Sequence, residues 1–325
     1  MKRHVALGAA ITLALSAGTA LATPGSGVTA VDLARGTSAA AYTITAAANM
    51  DVATQTNTFG PGATSGWHSH PGAVVSIVKS GTLSLWFSSD CTLRTLTAGQ
   101  AIVVPGGAGL YDLGQNQDAT VPLVVVQTFY DVPVGGPLRT NAPGPQCSLA
   151  SPSVPQDMVA AGVTGVLHTR VRVASAINIT GAANTDLYIQ QVTVAPGGTT
   201  GWHRHLGQHT VLVDSGTLTY VRADCTTSLF PSGTGFVDAG DIHMARNDGT
   251  TPTNWFLTYT NLPVASAARI DAAAPTCAAP AASPLPNAAM PTGRGPTSPM
   301  PLVPVLFVLG LAGLLALGRS RARHR

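Results

Sequence analysis

The chain has no glutamate; all 14 of its acidic residues are aspartate. A site built on a glutamate ligand or a glutamate base is therefore excluded, and proton transfer is left to histidine and aspartate. Charged residues are scarce, at 10%, and aromatic ones at 5% of 325 positions. Helical periodicity is weak throughout, which argues against a bundle of amphipathic helices. Six of the 17 basic residues belong to the two ends, Lys2 and Arg3 at one and Arg319, Arg321, Arg323 and Arg325 at the other. Between residues 23 and 318, 11 basic residues face 14 aspartates, so this part is mildly acidic and nucleic acid is not a partner. There are four cysteines and no C-x-x-C pair, which points away from a thiolate metal site.

What is abundant is glycine (35), proline (24) and a 45% hydrophobic content, a mixture suited to many short strands joined by tight turns. Residues 1–22 have a basic start, an apolar stretch and a small-residue ending at Ala20-Leu21-Ala22, which predicts a secretory signal peptide. Residues 280–301 are rich in proline and alanine and read as a linker. Residues 302–318 are 17 apolar positions followed by a basic tail, 319–325. They predict a transmembrane helix with the tail in the cytoplasm, so the rest of the chain is exported and tethered to the membrane.

Between these ends the chain repeats itself at an offset of 135 residues. VTAVDLAR (28–35) is echoed at 163–170, and ITAAANMD (44–51) at 179–186. Residues 61–83 and 196–218 are identical at 13 of 23 positions. Repetition at this length means a duplicated domain, with the first copy at 24–150 and the second at 151–279. Each copy carries runs of β-branched and apolar residues, such as AVVSIVKSG and HTVLVDSG. Ser80-Gly81 and Ser215-Gly216 mark matching turns between strands. The expectation is an all-β chain of two tandem barrels. The cysteines repeat as well, and of three possible pairings the repeat favours Cys91–Cys147 and Cys225–Cys277, consistent with export.

The chemistry is concentrated in the second copy. His203 and His205 alternate onto one face of a strand, His209 keeps the same parity, and His243 follows in VDAGDIHMARN. Converging imidazoles make a divalent transition-metal site, and an all-nitrogen neutral set suits Zn, Fe, Cu or Ni. Gly197, His203, His205 and Gly216 resemble the first cupin motif, with His209 at the place of its glutamate. Gly240, His243 and Asn247 resemble the second, with Asp238 replacing its proline. The resemblance implies two cupin-type jelly-roll barrels, a bicupin, with a metal at the barrel mouth.

The first copy keeps His68 and His70 but has Val74 at the His209 place, and the motif spacing puts Leu110 at the place of His243. It reads as a degenerate site, vestigial at His68 and His70, that Tyr111 or Asp112 restores only by turning inward. Trp67 and Trp202 alternate to the opposite face and read as packing residues, and His168 as a surface residue. Three functional classes follow. The resemblance implies a metal-dependent oxygenase, decarboxylase or isomerase of a small organic molecule. The others are a cell-surface module binding a metal or small ligand without turnover, and a structural envelope protein.

Overall fold

The structure, a computed structural model, describes residues 24–144, 146–147 and 155–276. The expected signal peptide, linker, transmembrane helix and basic tail lie outside these residues, as does Cys277. Among the described residues there are 22 strands, and no helix is long and apolar enough to cross a membrane.

Eleven strands belong to each repeat. In the first they are Ser26–Ser38 (β1), Tyr42–Ala46 (β2), Met50–Thr64 (β3), His68–Ser69 (β4), Val74–Ser80 (β5), Thr82–Phe87 (β6), Arg94–Thr97 (β7), Gln100–Val104 (β8), Tyr111–Gln115 (β9), Leu123–Val132 (β10) and Thr140–Asn141 (β11). In the second they are Ala161–Val173 (β12), Ile177–Gly181 (β13), Thr185–Thr199 (β14), His203–His205 (β15), His209–Ser215 (β16), Thr217–Arg222 (β17), Thr227–Pro231 (β18), Thr234–Asp238 (β19), His243–Arg246 (β20), Thr253–Pro263 (β21) and Arg269–Asp271 (β22).

Each barrel has two layers. In the first, β3, β10, β5 and β8 pair in that order, facing β7, β6, β9, β4 and β11. The second repeats this with β14, β21, β16 and β19 against β18, β17, β20, β15 and β22. The turns at Gly81 and Gly216 have φ of 79° and 74°. A side chain at Gly81 would meet the backbone of Leu123 at 2.8 Å, so both conformation and space require glycine there.

The repeats exchange their first strands. β1 runs antiparallel along β14 of the second repeat, and β12 along β3 of the first. The stretches that echo one another in sequence fasten this exchange. Arg35 pairs with Asp186 at 2.7 Å, and its counterpart Arg170 pairs with Asp51 at 2.8 Å. β2 and β13 pair with Ile44 opposite Ile179, the same position of the two repeats, so a pseudo-twofold axis passes between them. Thr128 and Thr258, again equivalent, hydrogen-bond to each other at 2.7 Å in the buried interior. Ile44, Val52, Tyr130, Ile179, Leu187 and Phe256 belong to one hydrophobic cluster drawn from both repeats. The barrel interiors have their own clusters, around Val125 and Phe129 in one and Leu218 and Trp255 in the other.

Cys91 and Cys147 form a disulfide closing 56 residues, worth roughly 4 kcal/mol in the chain-entropy model. They pack beside Trp67 and Trp86 in a buried cluster at one end of the first barrel. Cys225, at the matching turn, is also disulfide-bonded.

Because the central cluster is shared, loosening it weakens both barrels together. Ile44→Ala, at a fully buried position, is expected to cost about 2–5 kcal/mol. It should lower a single calorimetric transition; two separate transitions, only one of them shifted, would contradict the shared core.

Candidate metal centre

The alternating pleat of β15 buries His203 and His205 and exposes Arg204 between them. His243 begins β20 directly across from His203, and His209 begins β16. The four rings meet at one end of the second barrel. Ring centroids lie 4.8 Å apart for His203–His205, 4.3 Å for His203–His243 and 5.1 Å for His205–His243. His209 lies 4.3 Å from His205 and 6.2 Å from His243. Ligand atoms of His203, His205 and His243 lie within 4.8 Å of one another, whereas His209 groups with Asp238 and His243.

The backbone sets the tautomers. Nδ1 of His203 lies 2.8 Å from the Gly201 carbonyl, that of His205 2.7 Å from Ala268, and that of His243 2.8 Å from Asp241. A carbonyl only accepts, so each Nδ1 is the donor, and each neutral ring keeps its lone pair on Nε2. His209 has no such tether, and its buried Nδ1 has no hydrogen-bond partner. Asp241 thus supplies a carbonyl and not a carboxylate. Asp238, fully buried, accepts hydrogen bonds from the Tyr220 hydroxyl and from the Gly240 N–H (2.6 Å). Its carboxylate also lies 3.6 Å from Nδ1 of His243, and the Tyr220 ring stacks on His243 at 4.9 Å. This support of the ligand ring was not read from the sequence, where Asp238 counted only as a replacement for proline. Asn247 holds the following turn through the carbonyls of Val194 and Thr251.

The histidines line a cavity of about 370 Å³, with Tyr188, Trp255, Tyr259 and Arg269 on its walls. Val28, Ala30 and Arg35 also line it, so the exchanged strand β1 closes the second barrel's pocket.

The first barrel departs from its expected reading. Leu110 does not occupy the place of His243; it is 41% exposed on a loop, and Asp112 lies across from His68 as His243 lies across from His203. The reason is an insertion. Val104 and Asp238 are equivalent, ending β8 and β19 opposite Val74 and His209, yet Asp112 follows Val104 by eight positions and His243 follows Asp238 by five. Constant motif spacing therefore pointed to Leu110, and of the two alternatives, Tyr111 and Asp112, it is the carboxylate of Asp112 that reaches the histidines. It turns inward, with Oδ1 3.6 Å from His68 Nε2 and Oδ2 3.5 Å from His70 Nε2.

Trp67 is fully buried, and its indole N–H donates to the Pro155 carbonyl; Trp202 is buried as well. His168 is half-buried rather than on the surface. It hydrogen-bonds to Thr56 at 2.7 Å and stacks on Phe256, bridging the two barrels away from both clusters.

Residues 190–259 match the family described as the cupin domain. They include His203, His205, His209 and His243, the four clustered histidines of the second barrel. No curated protein matches the chain. Among solved structures it is similar to Bacillus subtilis oxalate decarboxylase, in a study of that enzyme's Mn(II) centres, at 13% identity over 74% of this chain and 80% of that one, TM-score 0.34. It is similar to the G106A mutant of salicylate 1,2-dioxygenase from Pseudoaminobacter salicylatoxidans at 16% identity over 65% and 71%, TM-score 0.28. A cupin domain from Bordetella pertussis Tohama I matches at 24% identity over 23% and 81%, TM-score 0.22.

Burial, reinforced by the neighbouring imidazoles and arginines, holds the basicity of all six clustered histidines below the usual 6.5, with His70 at about 4. Unfolding restores their ordinary basicity, so the unfolded chain binds protons first as pH falls. The stability of these neutral rings is present above pH 6.5 and lost as pH drops toward 4. Asp112, pushed up to about 7 by its burial, acts in the opposite sense, one carboxyl against six rings. The chelator-treated protein is therefore expected to melt at progressively lower temperature as pH goes from 7 to 4. A flat melting profile would show that the rings are not held neutral.

Proposed function

We propose that the chain is an exported, membrane-tethered metal-dependent cupin whose second barrel acts on a small anionic organic molecule. The observation that carries this reading is the convergence of His203, His205 and His243 with every Nδ1 tied to a backbone carbonyl. That leaves three lone pairs pre-oriented toward one point, an arrangement fitted to a divalent ion of the Zn, Fe, Cu or Ni group. Such an ion, when bound, supplies Lewis acidity toward a substrate oxygen. The chain's own residues favour an anion there. Three neutral rings cancel none of the ion's charge, and Asp238 behind His243 offsets only part of it. A buried site left with net positive charge is relieved by an anionic ligand. Trp255, Tyr188 and Tyr259 offer apolar walls for the ligand's body, and Arg269 a cationic wall.

A module that captures a ligand without turnover is the second reading, and His209 favours it. Its ring lies beside His205 with a nitrogen committed to no protein partner, so it can serve as a fourth ligand and close the site. Export and tethering rest on the signal-like residues 1–22 and the apolar 302–318, and the Cys91–Cys147 bond suits an oxidising compartment.

Elemental analysis of the purified chain should show that His243→Ala removes one metal ion per molecule. In the Co(II)-loaded protein, small carboxylates should shift the visible spectrum. An unchanged metal content in His243→Ala would overturn the site, and a spectrum blind to carboxylates would favour the closed, non-catalytic reading.

A further inference from the structure

The first barrel has its own cavity, about 290 Å³, lined by His68, His70, Asp112 and Arg139 among others. Its polar cluster is arranged in a way that the folded chain alone does not satisfy. Nδ1 of His68 donates to the Gly66 carbonyl at 2.8 Å, and Nδ1 of His70 to the Leu138 carbonyl at 2.9 Å. Both lone pairs are therefore on Nε2, and the two Nε2 atoms face each other at 3.1 Å. Two acceptors in direct apposition repel unless a cation lies between them. The Asp112 carboxylate approaches the same pair, is 95% buried, and its Oδ2 has no hydrogen-bond donor. A buried, unpartnered carboxylate oxygen carries a large desolvation penalty. A proton shared between the two rings would relieve the imidazoles, but at 3.5 and 3.6 Å the carboxylate would still lack a hydrogen bond.

A metal ion relieves all three groups at once. With bonds of about 2.1 Å, neighbouring ligand atoms on one ion lie roughly 3.0–3.4 Å apart. The 3.1 Å between the rings falls in that span, and the carboxylate needs a shift of only a few tenths of an ångström to join it.

We propose that the first barrel binds a metal ion through His68, His70 and Asp112, at a site chemically distinct from the all-imidazole site of the second barrel. The carboxylate stands where the cupin resemblance calls for histidine, and the longer loop before β9 is what delivers it. Two imidazoles and one carboxylate favour harder ions, Mn(II) or Fe(II), over those preferred by imidazole alone. Arg139 lines the same cavity and faces Asp112, and once that carboxylate is shared with an ion the arginine's charge favours an anionic co-ligand on it. The two barrels thus select different metals, and duplication has produced two sites rather than a site and its remnant.

The test uses the full chain, stripped of metal and titrated with Mn(II) while the free aquo-ion is followed by electron paramagnetic resonance. His203→Ala disables the second barrel's cluster and is expected to leave one tightly bound Mn(II). Asp112→Asn is expected to weaken that ion by more than the roughly 10–100-fold that outer partners of a metal site carry. Asp112→Asn should also melt no lower than the parent without metal, because it removes a buried carboxylate oxygen that has no hydrogen-bond donor, while losing the rise in melting temperature that Mn(II) confers. Should Asp112→Asn fold poorly, His70→Gln serves as the second variant and should lose the ion likewise. Mn(II) retained at parental affinity in a folded Asp112→Asn or His70→Gln protein would overturn the proposal. So would the absence of bound Mn(II) in a His203→Ala protein that melts like the parent. The second barrel's reading is judged separately, by His243→Ala.

Discussion

Two reciprocal ion pairs, Arg35 with Asp186 and Arg170 with Asp51, hold the exchanged strands in place, and the rest of the molecule depends on that exchange. β1 leaves its own repeat to run along β14, and β12 does the same along β3. Each barrel consequently lacks one edge strand of its own and is completed by its neighbour. The exchange covers edges that would otherwise expose unpaired backbone groups. It also draws Ile44, Ile179, Tyr130 and Phe256 into one interior shared by both repeats, beside the cluster that each barrel has of its own. Function inherits this dependence, because residues of β1 wall the second barrel's cavity and Val163 of β12 walls the first.

Within that frame the two clusters obey the same electrostatic logic with different solutions. Burial keeps the imidazoles neutral, and backbone carbonyls claim their Nδ1 protons, so lone pairs are presented to the cavity without competition from solvent. In the second barrel the compensating carboxylate, Asp238, stands behind the His243 ring, supported by Tyr220 and the Gly240 turn. In the first barrel the carboxylate, Asp112, stands in the ring cluster itself. Moving one negative charge from behind the rings to among them makes the donor set of the first cluster harder than that of the second.

Much of this was legible from residues alone. The repeat at constant offset implied duplicated barrels, and the paired cysteine positions implied the Cys91–Cys147 bond that the structure contains. Strand alternation was enough to put His203 and His205 on one face, because a period of two leaves no other arrangement. Motif spacing failed where loop length changed. Side chains brought together by strand pairing are indifferent to how many residues the connecting loop holds, so three additional residues before β9 put Leu110 at the motif position and left Asp112 and Tyr111 as alternatives that only the fold could separate.

By itself, then, the sequence determined what local periodicity and repetition encode: the β class, the duplication, the histidine pairs and the turn glycines. Only the tertiary structure decided what depends on contacts between distant residues. The echoed segments at 28–35 and 163–170 are identical at four of eight positions, and nothing local in either says that it crosses to the other repeat. That choice belongs to pairing energy summed over 13-residue strands and to a shared apolar interior, neither of which exists until both repeats are folded.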